Sequence, residues 1–236
     1  MQTRRNWIRS SIGLGGLLLA PELALSKEEI RKFNPRPLSK TIKLSSNENP
    51  YGPSEKVQKA VIKAFENGCR YPRVYSSALA DKLAKLHGVS SENIIITGGS
   101  TEGLKITGLT FANGGGEIIA AKPTFLAMMD FAEQWGAKIS WIPVGDDKGY
   151  DLNAINNRIN TNTKIVFLCN PNNPTGTVVG KESLIDFCTS ASEKTIIFSD
   201  EAYYDFIQTP NYPSMDSLIR EGKNVICLLY TSDAAD

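Results

Sequence analysis

Residues 164–203 read KIVFLCNPNNPTGTVVGKESLIDFCTSASEKTIIFSDEAY, and this stretch decides the fold. Lys164 to Cys169 and Thr195 to Ser199 are short, mostly apolar runs, each ending in a polar cluster. Leu184 to Ala191 between them places its apolar residues at helical spacing. A strand that is apolar on both sides is buried on both faces, and a helix joining two such strands makes them parallel. Working outward, the same alternation continues in both directions. Toward the amino terminus come strand Ile94 to Thr97, helix Thr101 to Ala112, strand Glu117 to Ala121, helix Phe125 to Trp135, strand Lys138 to Val144 and helix Leu152 to Ile159. Toward the carboxyl terminus Asn224 to Leu229 adds another strand. The expected fold class is α/β, a mostly parallel sheet with helices on both faces.

Two further helices precede this region. Ser54 is placed to cap a helix with Val57, Ala60, Val61, Ala64 and Phe65 on one face and Gly68 at its end. A second groups Leu79, Leu83 and Leu86 and stops at Gly88.

Composition removes several function classes. The 236 residues carry 26 basic and 25 acidic side chains, a net charge of +1, so no basic field draws nucleic acid to the surface. The four cysteines, Cys69, Cys169, Cys188 and Cys227, form no CxxC pair, and with His87 as the single histidine they do not make a zinc site. No metal is expected. His87, in the last helical turn before Gly88, reads as a partner of the helix dipole, and the cysteines read as structural.

In open parallel sheets, ligands bind beyond the carboxyl ends of the strands. Three such positions are chemically loaded. Gly98-Gly99-Ser100-Thr101 opens a helix whose free amides suit a phosphate. Asn170-Pro171-Asn172-Asn173-Pro174-Thr175-Gly176 follows one strand, and Asp200-Glu201-Ala202-Tyr203 delivers an acid and a phenol after another. Singly, each is an ordinary turn or cap. Together they place a phosphate cradle, an amide and an Asp/Tyr pair along one edge.

From Leu44 to about Ile226 the chain resembles the pyridoxal phosphate dependent aminotransferases of class I/II, most closely their histidinol-phosphate aminotransferase branch. The resemblance rests on Asn47-Glu48-Asn49-Pro50-Tyr51-Gly52, Arg70-Tyr71-Pro72, residues 98–103, Pro123-Thr124-Phe125, residues 170–176 and Asp200-Glu201-Ala202-Tyr203. It implies the large domain of a fold type I pyridoxal phosphate enzyme, with pyridoxal 5'-phosphate as cofactor. It implies transfer of an amino group between an amino acid, or an amino alcohol phosphate, and a 2-oxo acid. By the same resemblance Asp200 pairs with the pyridine nitrogen, Asn173 and Tyr203 donate to the phenolate oxygen, and Ser100 and Thr101 hold the phosphate. Phe125 stacks on the ring, Asn49 touches substrate, and Tyr71 reaches the phosphate of a second subunit, so a homodimer is implied.

The family's lysine, whose amine forms the Schiff base, is expected after the strand starting at Asn224. The chain instead reads Cys227 to Asp236 without a lysine, and Lys223 lies before that strand. No catalytic residue is therefore assigned, and the chain as written is expected to be inactive, lacking a later strand and the small C-terminal domain. Two other classes stay open: another fold type I pyridoxal phosphate enzyme, a decarboxylase or lyase, and a binding module without chemistry.

The organisation expected is a signal peptide at 1–26, an extended arm at 27–53, the partial cofactor-binding domain at 54–226 and a tail foreign to the family at 227–236. Arg4, Arg5 and Arg9 precede the glycine-broken apolar run Ile12 to Leu19, and Ala24-Leu25-Ser26 suits signal cleavage. Thr3-Arg4-Arg5-Asn6-Trp7-Ile8-Arg9 resembles the twin-arginine signal, which exports folded proteins, so a periplasmic or exported location is expected without a stable membrane span.

Overall fold

The structure is a computed structural model and describes residues 45–49 and 51–229. The signal at 1–26, most of the arm at 27–53 and residues 230–236 of the tail lie outside the described residues. The chain divides into two compact units at Gly52/Pro53. In the first, Ser46 and Asn47 turn through left-handed backbone, at φ 72° and 52°. The Asn49 side chain closes the next turn, accepting from the Tyr51 amide at 2.9 Å and donating to the Gly52 carbonyl at 3.3 Å.

The second unit opens with α1 (Glu55–Ala64) and α2 (Arg73–His87). Ser54 caps α1 through the Val57 amide at 3.4 Å, as its position predicts. The helix tightens into a 3-10 turn over Phe65–Asn67, and Gly68 follows at φ −61°, so it ends the turn without left-handed geometry. No residue of α1 is buried, and on α2 only Ala84 is. The apolar faces read from spacing are real, but Val61, Phe65, Leu79 and Leu86 point to solvent in this chain. Gly88 ends α2 at φ 65°, with its amide bonded to the Ala84 carbonyl.

The core unit runs α3 (Ser100–Ala112), β1 (Glu117–Lys122), α4 (Ala127–Gln134), β2 (Lys138–Pro143), α5 (Leu152–Arg158), β3 (Thr163–Cys169), α6 (Lys181–Ala191), β4 (Ile196–Asp200), α7 (Asp216–Arg220) and β5 (Val225–Leu228). The strands form one sheet in the order β2-β1-β3-β4-β5, and every pairing is parallel. Alternate residues divide between two cores. Ile118, Ala120, Phe167, Cys169, Phe198 and Leu228 face α3 and α4, while Ile119, Val166, Leu168, Ile197 and Val225 face α5, α6 and α7. Phe167 and Phe198 stack across β3 and β4 at 5.8 Å.

One expectation fails. Ile94 to Thr97 is extended but joins no ladder among the described residues, and Ile95 is 85% exposed. Apolarity marks a segment suited to a sheet, whereas a strand also needs a neighbour for its amides and carbonyls. At the other end of the chain β5 runs through Cys227 and Leu228, which pair with Ser199 and Asp200. Helix α7 is too short to leave a periodic signal, and sequence reading misses it. It anchors His87, whose Nδ1 lies 2.7 Å from Asp216 Oδ2, while Arg220 donates to the His87 carbonyl at 2.6 Å.

A buried acid organises the amino edge of the sheet. Glu117 accepts from Ser140 at 2.5 Å, Asn160 at 2.6 Å and Thr163 at 2.8 Å, with Arg158 at 3.3 Å. Burial alone would raise its carboxyl; these donors and the Arg158 charge outweigh it and hold the group below the ordinary value.

Candidate functional site

The opposite, carboxyl edge carries the predicted residues. Asp200 ends β4 between Cys169 of β3 and Leu228 of β5 and is 3% exposed. Its Oδ1 accepts from the Ala202 amide at 3.2 Å, and among the described residues no lysine or arginine forms an ion pair with it. Burial raises its pKa to about 6; the Ala202 bond works against the rise and the neighbouring Glu201 charge adds to it. The same burial, with the Asp200 charge second, pushes the Cys169 thiol up to about 12. That cysteine is an inert part of the wall.

The loop after β3 brings Asn173 to the loop that follows this acid. Its Nδ2 donates to the Tyr203 hydroxyl at 3.4 Å, which joins the loops after β3 and β4. The loop after β1 is tied to the same place: Thr124 donates to Asn172 Oδ1 at 2.8 Å, and Asn172 Nδ2 donates to the Pro123 carbonyl at 3.1 Å. Phe125 follows and packs, half-buried, against the cluster that holds Cys169, Phe198 and Leu228, on the Asp200 side of the sheet.

The first turn of α3 completes the rim. A methyl group added at Gly103 would lie 3.4 Å from the Leu228 side chain, so the start of this helix sits against the register partner of Asp200. Gly99 adopts φ 100°, and a Cβ added there would meet nothing within 4 Å. The helix therefore begins at an open cradle beside Ser100 and Thr101. Glu102 reaches back to accept from the Gly98 amide, and Thr97 donates to the Gly99 carbonyl at 2.8 Å, fixing the turn.

Ser100, Thr101, Phe125, Asn173, Asp200 and Tyr203 thus share one edge, as the order of strands and motifs predicts. Tyr71 does not take part in it: it precedes α2 and is 96% exposed. Asn49 lies in the first unit, with its amide used in its own turn.

Sequence reasoning misses the layer beneath. Tyr150 bonds to the Cys169 carbonyl and to Asn172 Oδ1, both at 2.9 Å, and its hydroxyl accepts from the Cys169 amide at 3.2 Å. Asn170 donates to the Tyr212 hydroxyl at 2.8 Å and accepts from the Val179 amide at 2.9 Å; Tyr212 in turn donates to the Val179 carbonyl at 2.7 Å. These bonds hold a polar loop in place over a buried strand end. The asparagines were visible as a polar cluster, but nothing local marked their tyrosine partners.

Residues 39–232 match the sequence profile of aminotransferase class I and II. The chain belongs to that family. It is 38% identical over 191 residues to a histidinol-phosphate aminotransferase of Halalkalibacterium halodurans, covering 81% of this chain and 52% of that protein. To the protein of that name in Bacillus velezensis it is 36% identical over 197 residues, covering 84% and 55%. Among solved structures, a Sinorhizobium meliloti histidinol-phosphate aminotransferase in complex with pyridoxal-5'-phosphate superposes with a TM-score of 0.70 at 26% identity, covering 79% of this chain and 50% of that one. The chain spans about half the length of the curated relatives it matches. The class is pyridoxal phosphate dependent, and the fold described here is the parallel-sheet domain of its fold type I enzymes. Among the described residues no helix is long and apolar enough to cross a membrane, and no group of three or more acidic, cysteine or histidine side chains could hold a metal ion.

Proposed function

We propose that this chain is the cofactor-binding part of a transaminase that moves an amino group between an amino alcohol phosphate or amino acid and a 2-oxo acid. The observation that carries the reading is Asp200: a buried carboxyl with no lysine or arginine partner among the described residues, on a rim that also holds an open helix start. A cationic ring nitrogen and a phosphate are the two halves of a ligand that fits such a site.

Pyridoxal phosphate supplies an electron sink when bound. Asp200 would favour the protonated ring nitrogen by offering it a negative charge. Asn173 and Tyr203 would donate to the ring oxygen, Ser100 and Thr101 with the amides of α3 would hold the phosphate, and Phe125 would stack on the ring. We read Tyr71, exposed on this chain, as a contact for the cofactor of a second copy, so the working form in this reading is a homodimer. Asn49 contacts substrate. The relatives named above favour a phosphorylated amino alcohol.

The deciding experiment is a titration of pyridoxal phosphate into the chain and into Asp200→Asn. Saturable binding that Asp200→Asn weakens supports the reading, and equal binding by both proteins overturns it.

We infer further that the protein is exported folded, directed by Arg4 and Arg5. A cofactor inserted before transport requires a route for folded proteins, and the twin-arginine pattern offers one.

A further inference from the structure

Tyr150 lies between β2 and α5, and its ring packs, half-buried, against the core under α5 and α6, on the face of the sheet away from Phe125. Its hydroxyl nevertheless ends at the carboxyl rim. Because β1 stands between β2 and β3 in the sheet, the phenol reaches past the segment that follows β1 to bond Cys169 and Asn172 at the end of β3. Thr124, in that intervening segment, lies 3.4 Å from the same hydroxyl.

The direction of each bond around Asn172 follows from its partners. The Pro123 carbonyl can only accept, so the Asn172 atom facing it is the nitrogen, which donates to Pro123 at 3.1 Å and to the Thr175 hydroxyl at 2.8 Å. Thr177 donates to the Lys148 carbonyl at 3.0 Å, so Thr175, whose hydroxyl is 2.7 Å from that of Thr177, donates to it. Asn172 Oδ1 accepts from Thr124 at 2.8 Å and from Tyr150 at 2.9 Å. Both donors and both acceptor positions of this buried amide are thus in use, and the loops after β1, β2 and β3 close on it. Burial pushes the Tyr150 phenol well above its ordinary pKa, against the bond to Thr124, so the phenol keeps the proton it donates.

We propose that Tyr150 is a positioning residue for the cofactor's ring: acting through Asn172 from the far face of the sheet, its hydroxyl sets Asn173 and Phe125 relative to one another. This rests on the reading of Asn173 and Phe125 as contacts of that ring. Asn173 follows Asn172 in the chain and Phe125 follows Thr124, so each ring contact stands one residue from an anchored side chain. The phosphate cradle is fixed separately, by Thr97 on the Gly99 carbonyl and by Glu102 on the Gly98 amide. Removing the Tyr150 hydroxyl therefore loosens the ring's half of the site and leaves the phosphate's half as it was.

Calorimetric titrations of the chain with pyridoxal phosphate and with inorganic phosphate read the two halves. Tyr150→Phe keeps the aromatic ring and is expected to bind pyridoxal phosphate about tenfold more weakly, with its affinity for inorganic phosphate within about twofold of wild type. Thr124→Val, which removes the other donor to Asn172 Oδ1, is expected to give the same split. Equal losses for both ligands, as general loosening would give, or an unchanged affinity for pyridoxal phosphate, overturn the proposal. A second readout needs no cofactor. In proton–nitrogen NMR spectra of the unliganded chain, Tyr150→Phe is expected to shift the side-chain amide signals of both Asn172 and Asn173, identified by their loss in Asn172→Asp and Asn173→Asp; an unmoved Asn173 signal overturns the proposal. If wild type does not bind pyridoxal phosphate, the reading of the rim as a cofactor site fails, and the Asn173 signal still decides whether Tyr150 positions that residue.

Discussion

The Asn173 amide and the Tyr203 hydroxyl meet at 3.4 Å, and this contact joins the loops that follow two neighbouring parallel strands, whose ends pair Cys169 with Asp200. Each group restrains the other, and in the proposed function each also donates to the cofactor's ring oxygen. Tyr203→Phe is expected to weaken pyridoxal phosphate binding by roughly tenfold through one lost donor while leaving the denaturation midpoint nearly unchanged. A fluorescence titration beside a urea melt separates the two effects.

Asp200 is held in a costly state when no cation faces it. The rise from 3.8 to about 6 corresponds to about 3 kcal/mol of stability missing above pH 6, because a raised native pKa gives stability that is lost as pH climbs through it. Asp200→Asn is therefore expected to make the cofactor-free chain more stable at neutral pH, with the gain vanishing at low pH. Thermal melts across the pH range check this. Cofactor affinity in wild type is expected to fall as the pH drops below about 6, when the acid becomes neutral.

Gly99 combines φ 100° with open space beside it. Gly99→Val is expected to cost about 1–3 kcal/mol of backbone strain and to fill the cradle with a side chain. Inorganic phosphate competition against pyridoxal phosphate is expected to disappear in this variant, and calorimetry reads both affinities.

Tyr212 bridges Asn170 and the Val179 carbonyl from inside the core. Tyr212→Phe leaves both groups short of a partner and is expected to destabilise the chain by about 1–3 kcal/mol. Urea denaturation measures it.

Export is checked independently of binding. Replacing Arg4 and Arg5 by lysine is expected to retain the protein inside the cell, and cell fractionation reports the outcome.

Asp200 and the asparagine loop were legible because apolar runs locate strand ends, and strand ends locate sites. Ile94 to Thr97 carried the same apolar signal and joins no ladder among the described residues, since pairing is a property of the neighbour. Tyr150 and Tyr212 were hidden for a related reason: each stands in irregular sequence far along the chain from the asparagines it binds. The exposed faces of α1 and α2 show periodicity reporting where a helix is apolar without reporting what covers it.

Glu117 and Asp200 stand at opposite ends of one sheet with their carboxyls displaced in opposite directions. Acidification therefore reaches them in sequence. The rim loses its charge near pH 6, whereas the amino edge keeps its ionised anchor until below the ordinary carboxyl range, where protonation begins to remove the stability it contributes. One sheet thus carries two acids answering to different acidities, and the amino end outlasts the rim.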